Sequence, residues 1–271
     1  MKRFEGYLIV SDLDGTLLDA ESRISPENQR AIHEFIEQGG RFTVATGRSK
    51  AGMEHFFPTL EINAPAVIYN GSVIYDFAKG EELWSACVGA AGYRLARRLM
   101  KIFPEELGIE VYAGHTPYVI QENELTRRHF QLVKMAWNPV LPEEIPQPWL
   151  SLVVNGEPEV LEQAIALIER EDPGIFFTQI SERTLLEVMH REANKGVACR
   201  KVQSLLGAEP EKVFAVGDGR NDLQLLESVL HSCAPENACD AVRKIARHRL
   251  PHHTEHTIAA LIERIGKGET E

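Results

Sequence analysis

Short apolar runs alternate with amphipathic segments in the first third of the chain, and polar residues follow each run. The three runs, which are typical of buried strands, lie at 7–10, 41–45 and 66–69. Ser25 and Pro26 open the segment after the first run, and apolar positions recur along it at helical spacing until Gly39. A weaker helical pattern follows the second run. Strands that alternate with helices in this way predict a parallel sheet covered on both faces.

The pattern changes after Gly80 and returns near Lys195. Between these points, two groups of strands and helices with a loosely similar order flank a proline-rich stretch at 139–148. The predicted strands of this middle part are 83–88, 109–112, 118–121, 150–154, 176–180 and 185–189, and its predicted helices are 93–100, 125–135 and 158–168. The predicted elements after it are a helix ending at Gly207, strand 212–216, a helix around 223–226, strand 231–234, and helices 238–246 and 257–265.

The strand–helix alternation on both sides of the middle part predicts one sheet that is interrupted by an insert. The predicted fold class is α/β, a doubly wound parallel sheet with an inserted α+β cap domain. Residues 1–80 and 187–271 are the predicted core, and residues 81–186 are the predicted cap.

Composition narrows the possible partners. The chain has 271 residues, 44% of them hydrophobic, which is enough for a substantial core. Its formal net charge of -11 argues against nucleic acid as a partner, whereas a bound cation would still allow a small phosphorylated ligand. The four cysteines form no CxxC pair, so we expect neither disulfide bonds nor a zinc site. The first apolar run is too short for a signal peptide or a membrane span, so we expect a cytoplasmic protein without a membrane partner.

Polar clusters stand where predicted strands end, and in an open parallel sheet this edge binds ligands. The clustered residues are Asp12, Asp14, Thr46, Gly47, Arg48, Asp218, Asn221 and Asp222. Asp12 and Asp14 are two apart in an extended segment, so both carboxylates can serve one site. Together with Asp218 they would repel one another without a cation, and such oxygen ligands suit Mg²⁺. Lys195, just before a predicted helix, is a candidate partner for these acids.

Each motif also has a plain structural interpretation. Acidic residues after a strand and Thr-Gly pairs are common in turns, and a single lysine is usually a solvated surface residue. Near the C-terminus, His248, His252, His253 and His256 suggest a second metal site. His252 and His256 are four apart and could share a helix face. The alternative for these histidines is a polar loop and a helix cap.

Taken together, the motifs resemble those of the haloacid dehalogenase superfamily. Asp12-Leu-Asp14-Gly-Thr-Leu17 is similar to its first motif, and the segments similar to the other three are Thr46-Gly-Arg48, Lys195-Gly196 and Gly217-Asp218-Gly-Arg-Asn221-Asp222. The long insert between the second and third motifs resembles the Cof-type, sugar-phosphatase-like branch with a large α/β cap. Asn70-Gly71 also resembles the Asn-Gly pair that follows the third strand in this family.

The resemblance implies a role for each residue. Asp12 would be the nucleophile that forms an aspartyl-phosphate, and Asp14 would act first as general acid and then as general base. The implied Mg²⁺ ligands are Asp12, the backbone carbonyl of Asp14 and Asp218, with Asn221 and Asp222 supporting. The implied phosphate-binding groups are the backbone N–H of Leu13, Thr46, Gly47, Lys195 and Asn221. Arg48 could contact either the phosphate or the leaving group.

The predicted function is Mg²⁺-dependent hydrolysis of a small phosphorylated metabolite, such as a sugar phosphate, by a monomer or homodimer. The cap is expected to exclude water and to select the leaving group. Two alternatives stay open at this point. A phosphomutase of the same superfamily would return the phosphoryl group to its substrate, and a non-catalytic regulator would only bind the phosphorylated metabolite.

Overall fold

In the computed structural model, the described residues are 2–132, 137 and 139–269. The chain forms two compact units. One runs up to Trp84 and resumes at Asn194, and the other is Ser85–Ala193. Both divisions fall later in the sequence than the predicted boundaries at 80/81 and 186/187.

The elements follow one another along the chain in three groups. The first group is β1 (Leu8–Ser11), α1 (Pro26–Glu37), β2 (Arg41–Val44), α2 (Lys50–Glu54), β3 (Ala66–Ile68), β4 (Val73–Asp76) and β5 (Glu81–Ser85). The second is α3 (Gly89–Ile102), β6 (Gly108–Ala113), β7 (Thr116–Gln121), α4 (Glu124–Leu132), β8 (Trp149–Asn155), α5 (Pro158–Glu171), β9 (Phe176–Glu182) and β10 (Leu185–His190). The third is α6 (Lys195–Leu206), β11 (Val213–Val216), α7 (Leu223–Glu227), β12 (His231–Pro235), α8 (Asp240–Ile245), β13 (His248–Leu250) and α9 (Thr257–Lys267).

The first unit is built on a parallel sheet with strand order β13-β12-β11-β1-β2. β1 lies between β11 and β2, and all four of its residues are buried. Ser11 at the end of β1 is level with Val216 at the end of β11 and with Val44 at the end of β2. The segments that follow these strands therefore leave the sheet at one edge.

Local sequence accounts for where the helices begin. The Ser25 hydroxyl accepts a hydrogen bond from the Asn28 N–H at 3.2 Å and caps α1, as the sequence predicts. The Asn194 side chain caps α6 in the same way, through the Val197 N–H at 2.9 Å. α6 ends at Gly207, whose φ of 60° places it in the left-handed region.

The predicted third strand is present as β3, but its contact with the parallel sheet is short. β3 pairs antiparallel with β4, and β5 completes a separate three-stranded sheet of order β3-β4-β5. A single parallel bridge, Ala45 to Val67, connects β3 to the residue after β2. A tight turn at Tyr69–Gly71 reverses the chain directly, so no helix crosses between these strands. β5, which the pattern assigned to the insert, belongs to this sheet.

The second unit is an α+β structure. Its five-stranded antiparallel sheet has the order β7-β6-β8-β10-β9, and the buried side chains of α3 and α5 form a core with it. Trp149, at the start of β8, is fully buried there. The predicted helix 125–135 corresponds to α4 up to Leu132, and its residues 133–135 lie outside the described residues.

Two further sequence expectations concern cysteines and membranes. Cys87, Cys199, Cys233 and Cys239 all lie within the described residues, and no disulfide joins any two of them. Within the described part of the chain, no helix combines the length and the apolar character that a membrane span requires.

Candidate active site

Three carboxylates meet at the edge of the sheet where β1 and β11 end. Asp12 directly follows β1, and its N–H donates to the carbonyl of Val216 at 2.8 Å. One carboxylate oxygen from each of Asp12, Asp218 and Asp222 lies within 4.8 Å of the others. Asp12 and Asp222 are buried, with 5% and 0% of their surface exposed. Residues that are about 200 positions apart in sequence thus share one site, because their strands are neighbours.

Lys195 lies between two of these acids. Its Nζ is 2.6 Å from Oδ1 of Asp12 and 2.6 Å from Oδ1 of Asp222, and its side chain is fully buried. Burial acts to lower the pKa of Lys195, but the two carboxylates outweigh it and hold that pKa above its ordinary value. The first residue of α6 therefore supplies a fixed positive charge to the nucleophile candidate.

Asp222 also shapes the loop that carries Asp218. Its Oδ2 accepts hydrogen bonds from the backbone N–H groups of Asp218 and Gly219, both at 3.0 Å. The Thr16 hydroxyl donates to Oδ1 of Asp218 at 2.8 Å, which links the loop to the segment after β1. Because both oxygens of Asp222 already have partners, Asp12 and Asp218 are the carboxylates that are better placed to face a ligand.

The charge of this cluster fits a cation. One lysine faces three carboxylates, so the buried cluster carries excess negative charge. Burial raises the pKa of Asp218 to about 6, and burial together with the Asp222 charge raises the pKa of Asp12. A hard divalent cation prefers oxygen ligands of this kind and would relieve the repulsion. The residues present therefore fit Mg²⁺.

Gly15 is required by the turn that leads away from Asp12. Its φ is 77°, a left-handed conformation that favours glycine. A Cβ at this position would lie 2.5 Å from Oδ2 of Asp218. The missing side chain thus lets the first motif approach the Asp218 carboxylate.

The side chain of Asp14 does not join the carboxylate cluster. Arg48 donates to it twice, from Nε to Oδ2 at 2.8 Å and from Nη2 to Oδ1 at 2.6 Å. The Arg48 guanidinium also lies over the ring of Phe56, 4.8 Å from its centroid. The sequence left open whether Arg48 contacts the phosphate or the leaving group. In the structure, its partner is the carboxylate of Asp14.

The other candidate phosphate-binding residues border the same edge. Thr46 is buried, and its hydroxyl accepts from the Arg48 N–H at 3.1 Å. The amide of Asn221 donates to Oδ1 of Asn70 at 3.4 Å. Leu13 is buried in the turn directly after the nucleophile candidate. Sequence analysis assigned no role to Asn70 or Thr16, although both belong to recognisable motifs. Asn70 is part of the Asn-Gly pair after a strand, and Thr16 is part of the first motif.

The four C-terminal histidines have separate partners. Nδ1 of His253 contacts the Leu18 carbonyl at 2.7 Å, and Nδ1 of His256 contacts the Ser25 hydroxyl at 2.9 Å. The partners of the other two are the Thr254 hydroxyl for His252 and the His231 ring for His248. His256 has a left-handed backbone and precedes α9, so the predicted shared helix face is wrong. This geometry favours the polar-loop interpretation.

Comparison with known proteins identifies the family of the chain. A family model for haloacid dehalogenase-like hydrolases matches residues 9–262. The chain belongs to this hydrolase family. The predicted family and α/β fold class are therefore confirmed, including the Cof-type branch with its inserted cap.

Relatives match this hydrolase along nearly its whole length. A protein of Streptococcus pyogenes serotype M6 is 27% identical over 265 residues, which cover 95% of this chain and 97% of that protein. A Bacillus subtilis protein named 5-amino-6-(5-phospho-D-ribitylamino)uracil phosphatase is 26% identical over 261 residues, which cover 94% of each chain. A solved sugar phosphatase of the haloacid dehalogenase superfamily, subclass IIB, superposes with a TM-score of 0.81 at 18% identity and covers 96% of this chain and 99% of its own. The predicted enzyme class, a phosphatase of the haloacid dehalogenase type, is confirmed.

Proposed function

We propose that this hydrolase cleaves a small phosphorylated metabolite in two steps, with Asp12 as the nucleophile. The observation that carries the proposal is the position of Lys195, whose Nζ is 2.6 Å from both Asp12 and Asp222. A phosphoryl group that reaches Asp12 would meet this ammonium and the cation that the neighbouring carboxylate cluster would hold. Phosphoryl transfer depends mainly on such positioning and charge neutralisation.

In the first step, a carboxylate oxygen of Asp12 attacks phosphorus, and the bond between phosphorus and the ester oxygen breaks. The leaving oxygen takes a proton from the carboxyl group of Asp14. In the second step, water attacks the phosphorus of the aspartyl-phosphate and gives a proton to Asp14, and the Asp12 carboxylate is released with free phosphate. Dividing one difficult displacement into two is ordinary covalent catalysis.

The residues that would hold Mg²⁺ are Asp12, the backbone carbonyl of Asp14 and Asp218, with Asp222 and Asn221 supporting them. When bound, the ion would supply positive charge that offsets the charge of the phosphoryl oxygens. The groups that would bind these oxygens are the N–H of Leu13, Thr46, the N–H of Gly47, Lys195 and Asn221. Arg48, which donates to both oxygens of Asp14, would release one of them when Asp14 carries the proton and would keep the carboxyl group oriented through the other.

We further propose a phosphorylated sugar or sugar alcohol as the substrate. The names of two proteins similar to this chain support the choice, one a sugar phosphatase and one a phosphatase of a phospho-ribitylamino compound. A panel of sugar phosphates, sugar-alcohol phosphates, nucleotides and aryl phosphates tests it through kcat/KM for release of free phosphate. Highest values for nucleotides would contradict the substrate class. Isomer formation without phosphate release would indicate a mutase instead.

The role of Asp12 is tested by Asp12→Asn, with p-nitrophenyl phosphate and Mg²⁺. We expect a loss of at least about a thousandfold in kcat, because the amide is a poor nucleophile. The matched control is Asp240→Asn, an exposed acid on α8, which should keep wild-type turnover. Circular dichroism verifies that both variants fold. Wild-type turnover in Asp12→Asn would end the proposal.

A further inference from the structure

The turn between β3 and β4 holds three consecutive residues in the left-handed region. Tyr69, Asn70 and Gly71 have φ values of 50°, 52° and 100°. Glycine adopts this conformation freely and asparagine tolerates it, but a bulky tyrosine does so rarely. Such strain persists only where the surroundings fix it, and it concentrates at functional sites.

The backbone of this turn is fixed against the second motif. The N–H of Asn70 donates to the carbonyl of Thr46 at 3.0 Å, and the N–H of Tyr69 donates to the carbonyl of Arg48 at 3.0 Å. On its other side, a Cβ at Gly71 would collide with the backbone carbonyl of Asn194, which caps α6. The turn therefore lies between the second motif and the helix start that carries Lys195.

The Asn70 side chain reaches two further phosphate-binding candidates. It is buried, with 4% of its surface exposed, and its Oδ1 accepts the hydrogen bond from Asn221 at 3.4 Å. Its Nδ2 would be 2.9 Å from a Cβ placed on Gly47, so the amide occupies the space that a side chain would need there. Since an amide nitrogen carries two N–H groups, Asn221 keeps one for a phosphoryl oxygen.

We propose that Asn70 is a positioning residue for phosphoryl transfer, an inference that rests on the proposed function. Its side chain holds the Asn221 amide and the Gly47 backbone in place, while its own N–H holds the carbonyl of Thr46. Donors that are fixed before the substrate arrives need no reorganisation during the reaction. Asn70 itself need not contact the substrate for this role.

The test compares wild type with Asn70→Gly, because glycine accepts the left-handed backbone and removes only the side chain. Titration calorimetry with inorganic phosphate, in buffer containing Mg²⁺, measures the binding. We expect phosphate to bind about tenfold more weakly to the variant, because the groups that bind it are no longer held in place. Binding of Mg²⁺ without phosphate should not change, since no carboxylate has moved.

Asn70→Asp is the second variant and keeps the shape and the left-handed tolerance of the residue. Its negative charge near the phosphoryl oxygens should also weaken phosphate binding. The matched control is Asn63→Gly. The Asn63 side chain accepts a hydrogen bond from the N–H of Phe42 at 2.8 Å and donates one to the carbonyl of Gly40 at 3.0 Å, beside the start of β2. This control should lose stability but keep the phosphate affinity.

Wild-type phosphate affinity in both Asn70 variants would overturn the inference. So would an equal loss of affinity in Asn63→Gly, because the effect would then be one of general stability. A wild-type protein that binds phosphate but hydrolyses no ester would contradict only the proposed function. A wild-type protein that binds no phosphate would overturn both.

Discussion

Arg48 fixes the carboxylate of Asp14 through two hydrogen bonds of 2.8 and 2.6 Å. A guanidinium presents its donors in a planar fork, so this pairing sets the direction of the carboxylate as well as its distance. The ring of Phe56 supports the guanidinium from one side. The group that we propose as general acid and base is thus oriented by a residue of the second motif.

The first prediction follows from this pairing. Arg48→Ala should lower kcat/KM for an alkyl phosphate by about tenfold or more, because general acid–base catalysis is worth roughly 10²–10⁴ in rate. The loss in kcat/KM for p-nitrophenyl phosphate should be smaller, since this parameter covers the reaction only up to departure of the leaving group, which here needs no proton. Arg48→Lys keeps the charge but not the planar fork, so its activity should fall between those of wild type and Arg48→Ala. Equal losses on both substrates would contradict the proposed role of Arg48.

The second prediction concerns the buried Lys195. Lys195→Met should destabilise the Mg²⁺-free protein by roughly 3–5 kcal/mol, because two buried carboxylates lose their partner. Urea unfolding followed by circular dichroism measures the change, and Mg²⁺ should restore part of it. Lys244→Met, an exposed lysine on α8, serves as control. An unchanged free energy of unfolding in Lys195→Met would mean that the carboxylates do not depend on this ammonium.

The third prediction links pH to metal binding. The folded pKa of Asp218, about 6, lies above its ordinary value of 3.8. Between these values the folded protein keeps a proton that the unfolded chain has lost, so the Mg²⁺-free protein loses stability as pH rises through this window. A cation would hold the ionised carboxylate and offset the loss.

Mg²⁺ should accordingly raise the Tm more at pH 7.5 than at pH 5, where protons compete for Asp218. Differential scanning calorimetry with and without Mg²⁺ at both pH values measures the two shifts. Asp218→Asn should remove most of the difference between them. A shift of the same size at both pH values in the wild type would contradict this linkage.

The fourth prediction concerns Gly15. Gly15→Ala should abolish most of the activity, because the new Cβ would lie 2.5 Å from Oδ2 of Asp218 and φ is 77°. Gly80→Ala is the matched control, since its φ is 71° but no atom of the described residues lies within 4 Å of the added Cβ. The two variants share the backbone strain, so kcat for p-nitrophenyl phosphate separates strain from close approach. Equal activity in both variants would show that close approach to Asp218 is unimportant.

Much of the parallel sheet could be predicted because its signals are local. β1, β2 and β11 are short apolar runs that end at polar clusters, and the rule for parallel sheets places such clusters at one edge. Ser25 marks the start of α1 and Gly207 the end of α6, because capping residues of these types can be recognised in a sequence. The convergence of Asp12 and Asp218 follows from the same rule.

Other features depend on contacts that a sequence does not show. The partner of β3 could not be read from its apolar residues, because a buried strand looks alike in parallel and antiparallel pairings. β13 is a three-residue edge strand, too short to show a period. The pairing of Arg48 with Asp14 and the contact of Asn70 with Asn221 join residues far apart in sequence, so only the fold reveals them.

The central claim, that Asp12 carries the phosphoryl group, is tested most directly by trapping the intermediate in Asp14→Asn. With p-nitrophenyl phosphate and Mg²⁺, this variant should form the aspartyl-phosphate, because the leaving group needs no acid, and hydrolyse it slowly, because the base is gone. Acid quenching and mass spectrometry should find one phosphoryl group on the tryptic peptide 4–23, at Asp12, and none in the double variant Asp12→Asn/Asp14→Asn. A phosphoryl group on another residue, or on the double variant, would contradict the claim.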